Sequence, residues 1–239
     1  MASLLFDNVT LKYPVYNSRG FSLRNQIVRW GTGGLIESEA GRVNYITALN
    51  NISFEIKEGD CIGLVGHNGA GKTSLLRTMA GIFNPSSGKI TRIGTISTLF
   101  EQGACMEIEL SGYENITRMG LMLGLSKKDI KTKMKDIEEF TELGDFLNLP
   151  VRMYSVGMAM RLNFAVATSI KPEILLIDEI FGAGDKDFKE KAKKRITNLI
   201  DSSKIFVFAS HSMEQIKEYC NKIFYLDHGI LAIKSISSI

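Results

Sequence analysis

Eight consecutive residues, Gly66-His67-Asn68-Gly69-Ala70-Gly71-Lys72-Thr73, place three glycines, a cation and a hydroxyl at the spacing G-x-x-x-x-G-K-[ST]. These residue types in this order hold phosphate. The glycines let the backbone curl until its N–H groups converge as an anion nest. A helix beginning near Lys72 adds partial positive charge at its N-terminus. Lys72 is then placed to reach the β- and γ-phosphates of a nucleoside triphosphate, and the Thr73 hydroxyl to ligate Mg²⁺. Residues 66–73 and the following Ser74 are the expected nucleotide contacts. A glycine turn with a solvated lysine is the bland alternative. The pattern arises by chance in roughly one chain in a hundred of this length, and the apolar strand and helical pattern that flank it make chance rarer still.

A second chemical locus lies downstream. Ile174-Leu-Leu-Ile-Asp178-Glu179 is an apolar run ending in two acids. Ligands of open α/β sheets sit at the carboxyl ends of strands, so this end is expected to face the phosphate loop. Asp178 would hold Mg²⁺ through its water shell, and Glu179 would polarise an attacking water as general base. Between the two loci, Tyr154-Ser155-Val156-Gly157-Met158 opens an amphipathic helix. Ser155 and Gly157 there make a second candidate anion site, although Ser-x-Gly before a helix is by itself an ordinary cap. His211, in Ala209-Ser-His-Ser212, follows an apolar run and would stand at the same sheet edge, in reach of the γ-phosphate.

The elements that must position these groups alternate in type. Residues 4–11, 49–56, 61–65, 174–177, 205–209 and 222–227 read as strands, with short strands near 90–99 and a last one after the turn His228-Gly229. Helical patterns occupy 74–80 (stopped by Gly81), most of 114–149, 157–170, about 187–201 and a segment from Met213. Within the polar stretch after the first strand, Leu23, Ile27 and Trp30 would share one face of a short helix over 21–30. That face suits either an interfacial contact or packing on its own domain. Alternating strands and helices imply a largely parallel sheet, with an antiparallel part toward the N-terminal end.

Composition excludes several classes. The chain has 239 residues, 44% apolar and 23% charged, ample for a core and ordinary for a globular protein. The net charge of +3 is too slight to suggest a nucleic-acid binder. The three cysteines, Cys61, Cys105 and Cys220, are odd in number and widely spaced, which disfavours a disulfide framework or zinc site and suggests a reducing compartment. No stretch approaches the ~18–20 apolar residues of a membrane span, and no signal peptide is evident.

Taken together and in order, these motifs resemble the ATP-binding cassette (ABC) ATPases over almost the whole chain. GHNGAGKT resembles Walker A, ILLIDE resembles Walker B with its catalytic glutamate, and Tyr154–Met158 stands at the signature. Gly182-Ala-Gly-Asp185 stands at the D-loop, and His211 at the switch histidine. Gln102, eight residues before Leu110-Ser-Gly-Tyr-Glu-Asn-Ile116, matches the Q-loop glutamine. Tyr13 matches the aromatic that stacks on adenine, with Tyr45 a weaker candidate. The resemblance implies a P-loop NTPase fold, α/β, with a mixed sheet core, an antiparallel β subdomain and an α-helical signature subdomain over about 103–170. One such domain would occupy 1–239, with an insertion over 14–45. It also implies ATP and Mg²⁺ as cofactors, Gln102 as a sensor of both metal and γ-phosphate, and a homodimer. In that dimer Ser155 and Gly157 of one copy would touch the nucleotide held by the other.

Departures narrow the resemblance. Val156 and Met158 replace the usual glycine and glutamine of the signature, so the contact through position 158 is lost, and the D-loop lacks its leucine. Y-S-x-G-M, a G-D-x-x-F after Walker B and the early insertion are similar to cassettes that export polysaccharides such as O-antigen and teichoic acid. The expected partners are integral-membrane permease subunits, which would make the main contact with a lipid-linked polysaccharide, at the cytoplasmic face of the inner (plasma) membrane. Ala104, Cys105, Met106, Ile108 and Leu110 are expected to line a groove for a permease helix, and a C-terminal carbohydrate-binding domain is not expected. A soluble ABC protein acting on ribosomes or DNA, a cassette serving a different substrate, and a catalytically silent module remain the alternatives. Lys72, Asp178, Glu179 and His211 argue against the last.

Overall fold

The computed structural model describes residues 1–15, 35–38, 44–99, 106–178 and 186–235. They fall into two compact units, Met1–Ile96 with Leu176–Glu179 and Lys204–Ile239, and Ser97–Leu175 with Ile180–Ser203. In chain order the strands are β1 (Ser3–Val15), β2 (Leu35–Ser38), β3 (Asn44–Lys57), β4 (Cys61–Val65), β5 (Ser87–Ile93), β6 (Ile96–Leu99), β7 (Ile174–Asp178), β8 (Ile205–Ala209), β9 (Lys222–Asp227) and β10 (Ile230–Ser235). The helices are α1 (Lys72–Met79), α2 (Gly112–Met122), α3 (Lys127–Thr141), α4 (Val156–Ala167), α5 (Lys186–Ser202) and α6 (Met213–Tyr219).

The first unit holds an antiparallel sheet of order β2-β3-β1-β5. The sequence showed only partial alternation in β1, and the register explains it. Phe6 pairs with Phe54 but Val9 with Ile52, so β1 carries one extra residue there. Asn8, at φ +50°, lies within that bulge, a conformation asparagine tolerates better than most residues. Leu4, Phe6, Val9 and Leu11 are all buried as a result, although simple alternation would have turned the last two outward. Both β1 and β3 run further than their apolar cores suggested, to Val15 and back to Asn44.

The second sheet has the order β10-β9-β4-β8-β7-β6. β4 is parallel to both β8 and β9, and β9 turns into antiparallel β10 through His228-Gly229. Positive φ at both turn residues, +47° and +79°, is the two-residue hairpin geometry that matches strand twist. Every residue of β8 is buried, as expected of a strand covered on both faces. Phe54 stacks on Phe6 at 4.4 Å and meets Phe224 of β9 edge-on at 5.0 Å, filling the core of this unit.

In the second unit the long helical stretch divides into α2, α3 and a short 3₁₀ turn over Gly144–Asn148. Ser111 with Glu114, and Ser126 with Asp129, form reciprocal capping boxes that start α2 and α3. Those serine hydroxyls, with the cap N–H groups, hold both carboxyls below their ordinary values. Phe140, Phe164 and Phe188 pack as a cluster with centroids 5.6–5.8 Å apart, joining α3, α4 and α5. The Lys191 ammonium caps α3 by donating to the Glu139 and Phe140 carbonyls, each at 3.0 Å. Among the described residues no helix is long and apolar enough to cross a membrane. The helix expected over 21–30 lies outside the described residues.

Candidate nucleotide site

The loop over residues 66–71 joins β4 to α1, the strand–loop–helix context that the motif requires. Two glycines are dictated by close approach. A Cβ on Gly66 would sit 2.3 Å from the Leu226 carbonyl, and one on Gly71, at φ +107°, would sit 2.6 Å from the Ala48 carbonyl. The loop therefore lies flat on β3 and β9 only if both positions lack a side chain. Lys72 Nζ donates to the carbonyls of Gly66 (2.6 Å) and His67 (3.2 Å). Ala70 N–H also donates to the His67 carbonyl at 3.1 Å, closing the turn around Asn68 and Gly69. The lysine is only 8% exposed, so its charge is held inside the curl of the loop.

Thr73, the next residue of α1, donates its hydroxyl proton to Asp178 Oδ2 at 2.9 Å. Asp178 ends β7, two strands away from β4 in the sheet. The contact aligns the hydroxyl and leaves its lone pairs to face a cation. An acidic partner that orients a ligating hydroxyl is the usual support of a hard-metal site, and the oxygen-only donor set suits Mg²⁺.

Tyr13 reaches the same helix turn. Its hydroxyl donates to Ser74 Oγ at 3.1 Å, and its ring meets Phe83 edge-on at 5.6 Å. Tyr45 lies one register position away, paired with Pro14. His211 is exposed just beyond β8. The loop that carries it is fixed by Ser210, whose hydroxyl donates to Gln215 Oε1 (2.9 Å) and accepts from Ser212 N–H (3.1 Å). Ser212 also caps α6 through Gln215 N–H. The sequence reading missed these residues, yet Ser212-x-x-Gln215 carries the capping-box spacing that could have revealed them.

Lys72, Thr73, Ser74, Tyr13 and Asp178 thus come together in the first unit. Ser155 and Gly157 belong to the second. Ser155 caps α4 by accepting from Met158 N–H at 3.2 Å. Val156 is 88% exposed, and a Cβ added to Gly157 would meet nothing closer than the Ser155 hydroxyl at 3.9 Å, so this turn is bare surface within its unit. The lead-in is rigid. Val151 and Arg152 N–H groups donate to the Leu110 and Ile108 carbonyls at 3.0 and 2.9 Å. Burial raises the Tyr154 phenol above its ordinary value, and its proton goes to the Phe146 carbonyl at 2.7 Å. A Cβ on Gly112 would lie 2.4 Å from that phenol oxygen, which explains the glycine in Leu110–Ile116.

Asn115 is the other residue the sequence reading passed over. Fully buried, it accepts from Glu107 N–H and donates to the carbonyls of Glu107, Leu110 and Ser111. It clamps the segment that enters α2. Of the residues expected to line a groove there, Ile108 is 56% exposed while Met106 and Leu110 are half-buried. Gln102, Ala104, Cys105, Glu179 and Gly182–Asp185 lie outside the described residues.

Residues 49–182 match the family model described as ABC transporter. The chain is also 62% identical over 231 residues to the O-antigen export system ATP-binding protein RfbE of Yersinia enterocolitica, covering 97% of each. The chain belongs to the ABC transporter family. It is an ABC ATPase cassette. The cassette is 34% identical to the O-antigen export system ATP-binding protein RfbB of Klebsiella pneumoniae, over 93% of this chain and 89% of that one. It is 38% identical to the teichoic acids export ATP-binding protein TagH of Bacillus cereus, over 94% of this chain and 39% of that longer protein. In fold it is similar to the dimeric post-hydrolysis structure of the ATP-binding cassette MJ0796 bound to ADP and Pi, with TM-score 0.69 and 20% identity over 98% of both chains.

Proposed function

We propose that this chain is the ATP-hydrolysing subunit of an exporter for a lipid-linked polysaccharide, such as O-antigen or teichoic acid, across the cytoplasmic membrane. The observation that carries the reading is the 62% identity, over 97% of both chains, to an O-antigen export protein. One cassette domain, with its helical part over about 103–170, sits peripherally at the cytoplasmic face and works on integral-membrane permease subunits. The permease makes the main contact with the polysaccharide, and nucleic acid is not a partner.

In this account Lys72 neutralises the β- and γ-phosphates, while Thr73 holds Mg²⁺ with Asp178 orienting it. Glu179 takes a proton from the attacking water, and His211 and Gln102 touch the γ-phosphate, Gln102 also sensing the metal. Tyr13 supports the adenine. Ser155 and Gly157 of a second copy close over the nucleotide, and the bare turn at Val156 supports that role. Each ATP is then a bridge between two copies. Hydrolysis removes the bridge and the pair reopens, and that motion passes to the permease.

The test is complementation. Supplied to Yersinia enterocolitica lacking RfbE, together with its own permease, the chain restores surface O-antigen, whereas Lys72→Ala leaves the polymer inside. Equal restoration by Lys72→Ala would overturn the reading.

A further inference from the structure

At the phosphate loop three metal-ligating side chains converge, His67 from the loop itself and Asp227 and His228 from the β9–β10 turn. His67 Nε2 lies 3.1 Å from Asp227 Oδ1, and His228 Nε2 lies 3.6 Å from the same oxygen. All three ligand atoms lie within 4.8 Å of one another, at the surface of the first unit. We propose that His67, Asp227 and His228 form a binding site for a borderline divalent transition cation of the zinc class, distinct from the Mg²⁺ of the nucleotide.

Two observations carry the site. The first is the proton arrangement of His67. Its Nδ1 lies 2.8 Å from the Asn68 carbonyl, which only accepts, so that nitrogen carries the ring proton. Nε2 then faces the Asp227 carboxylate oxygen at 3.1 Å, with either a second ring proton or a metal cation between them. A divalent cation can take the place of that proton, because both groups are ligands. A histidine whose Nδ1–H is held by a backbone carbonyl, with Nε2 presented outward, is the ordinary form of a metal ligand.

The second is spacing. A tetrahedral ion with metal–nitrogen and metal–oxygen distances of about 2.0–2.2 Å has ligand atoms about 3.3–3.5 Å apart. The two measured separations bracket that range, so an ion needs only small side-chain movements. The scaffold is already tied down. Gly229 N–H donates to the Ala70 carbonyl at 3.1 Å, and its own carbonyl accepts from Asn50 N–H at 2.8 Å. His228 is held at φ +47° in the hairpin turn, where its ring stands beside that of His67 at 4.6 Å. Three protein ligands leave a fourth position for water. The ion would pin the second residue of the phosphate loop to the β9–β10 turn.

The site is tested by titrating the nucleotide-free protein with Co²⁺, a spectroscopic stand-in for Zn²⁺. One equivalent per chain should bind with a tetrahedral d–d spectrum that lacks a thiolate charge-transfer band, and Zn²⁺ should displace it. His228→Asn suits the positive φ, and Asp227→Asn keeps the side-chain size. Both, like His67→Gln, should weaken binding at least about tenfold. Zn²⁺ should raise the Tm of the wild-type chain and leave that of His228→Asn unmoved. His228→Asn should keep wild-type MgATP turnover in the absence of zinc. Unchanged Co²⁺ affinity in His228→Asn, a sulfur charge-transfer band, or no d–d spectrum would each overturn the site.

Discussion

The Thr73 hydroxyl donates a 2.9 Å hydrogen bond to the Asp178 carboxylate, joining residues 105 positions apart in the chain. This one contact connects the phosphate loop to the acidic strand end. It makes the two short motifs a single site. The hydroxyl is useful to a cation only while its proton points away, and Asp178 is what holds it there.

Removing either partner should therefore act through the metal. Thr73→Ala and Asp178→Asn are each expected to lower Mg²⁺-dependent ATP hydrolysis by on the order of 100-fold. Thr73→Ser, which keeps the hydroxyl, should stay within a few-fold of wild type. Hydrolysis rates measured against Mg²⁺ concentration check this. A Thr73→Ala enzyme with unaltered metal dependence would detach that hydroxyl from the metal.

Asn115 should be a stability residue of the second unit. Its buried amide serves three carbonyls and one N–H. Asn115→Ala leaves those groups unsatisfied away from water, which costs about 2 kcal/mol. For a domain of this size that is a fall in Tm of roughly 4–8 °C. Thermal unfolding followed by circular dichroism reads it directly.

The Cys220 thiol is pushed up to about 12 by burial, with the nearby Cys61 adding to the shift. It stays neutral in the fold, and should resist iodoacetamide at pH 8 until the protein is unfolded. The sign for stability follows from proton uptake. Above the ordinary thiol value of about 9, the unfolded chain releases this proton while the folded chain keeps it. Stability should accordingly fall as pH rises from about 9 to about 12. Mass spectrometry of native and denatured samples checks the labelling, and denaturant titration against pH checks the slope.

The family and the strand–loop–helix context of the phosphate loop were legible in the sequence because that motif is a local pattern with a local cause. β4 and β8 match their apolar runs residue for residue, since a strand covered on both faces has no polar positions to blur its ends. β1 was harder to delimit, because the bulge at Asn8 reverses the burial phase halfway along. The contacts that hold the site steady were invisible for a different reason. Asn115 meeting Glu107, Gly112 beneath the Tyr154 phenol, and Tyr13 on Ser74 are tertiary meetings, and no periodicity encodes them. The likeness of the motifs to a known family supplied the order of the parts, and the hydrogen bonds supplied why each residue type is required.

The central claim is that ATP is held between two copies of this chain and that Glu179 ends that state. Its most direct measurement is the mass of the Glu179→Gln protein by light scattering after gel filtration, with and without MgATP. The account predicts a monomer without nucleotide and a stable dimer containing two unhydrolysed ATP molecules with it. A protein that binds MgATP yet remains monomeric, or that still hydrolyses ATP at the wild-type rate, would contradict it.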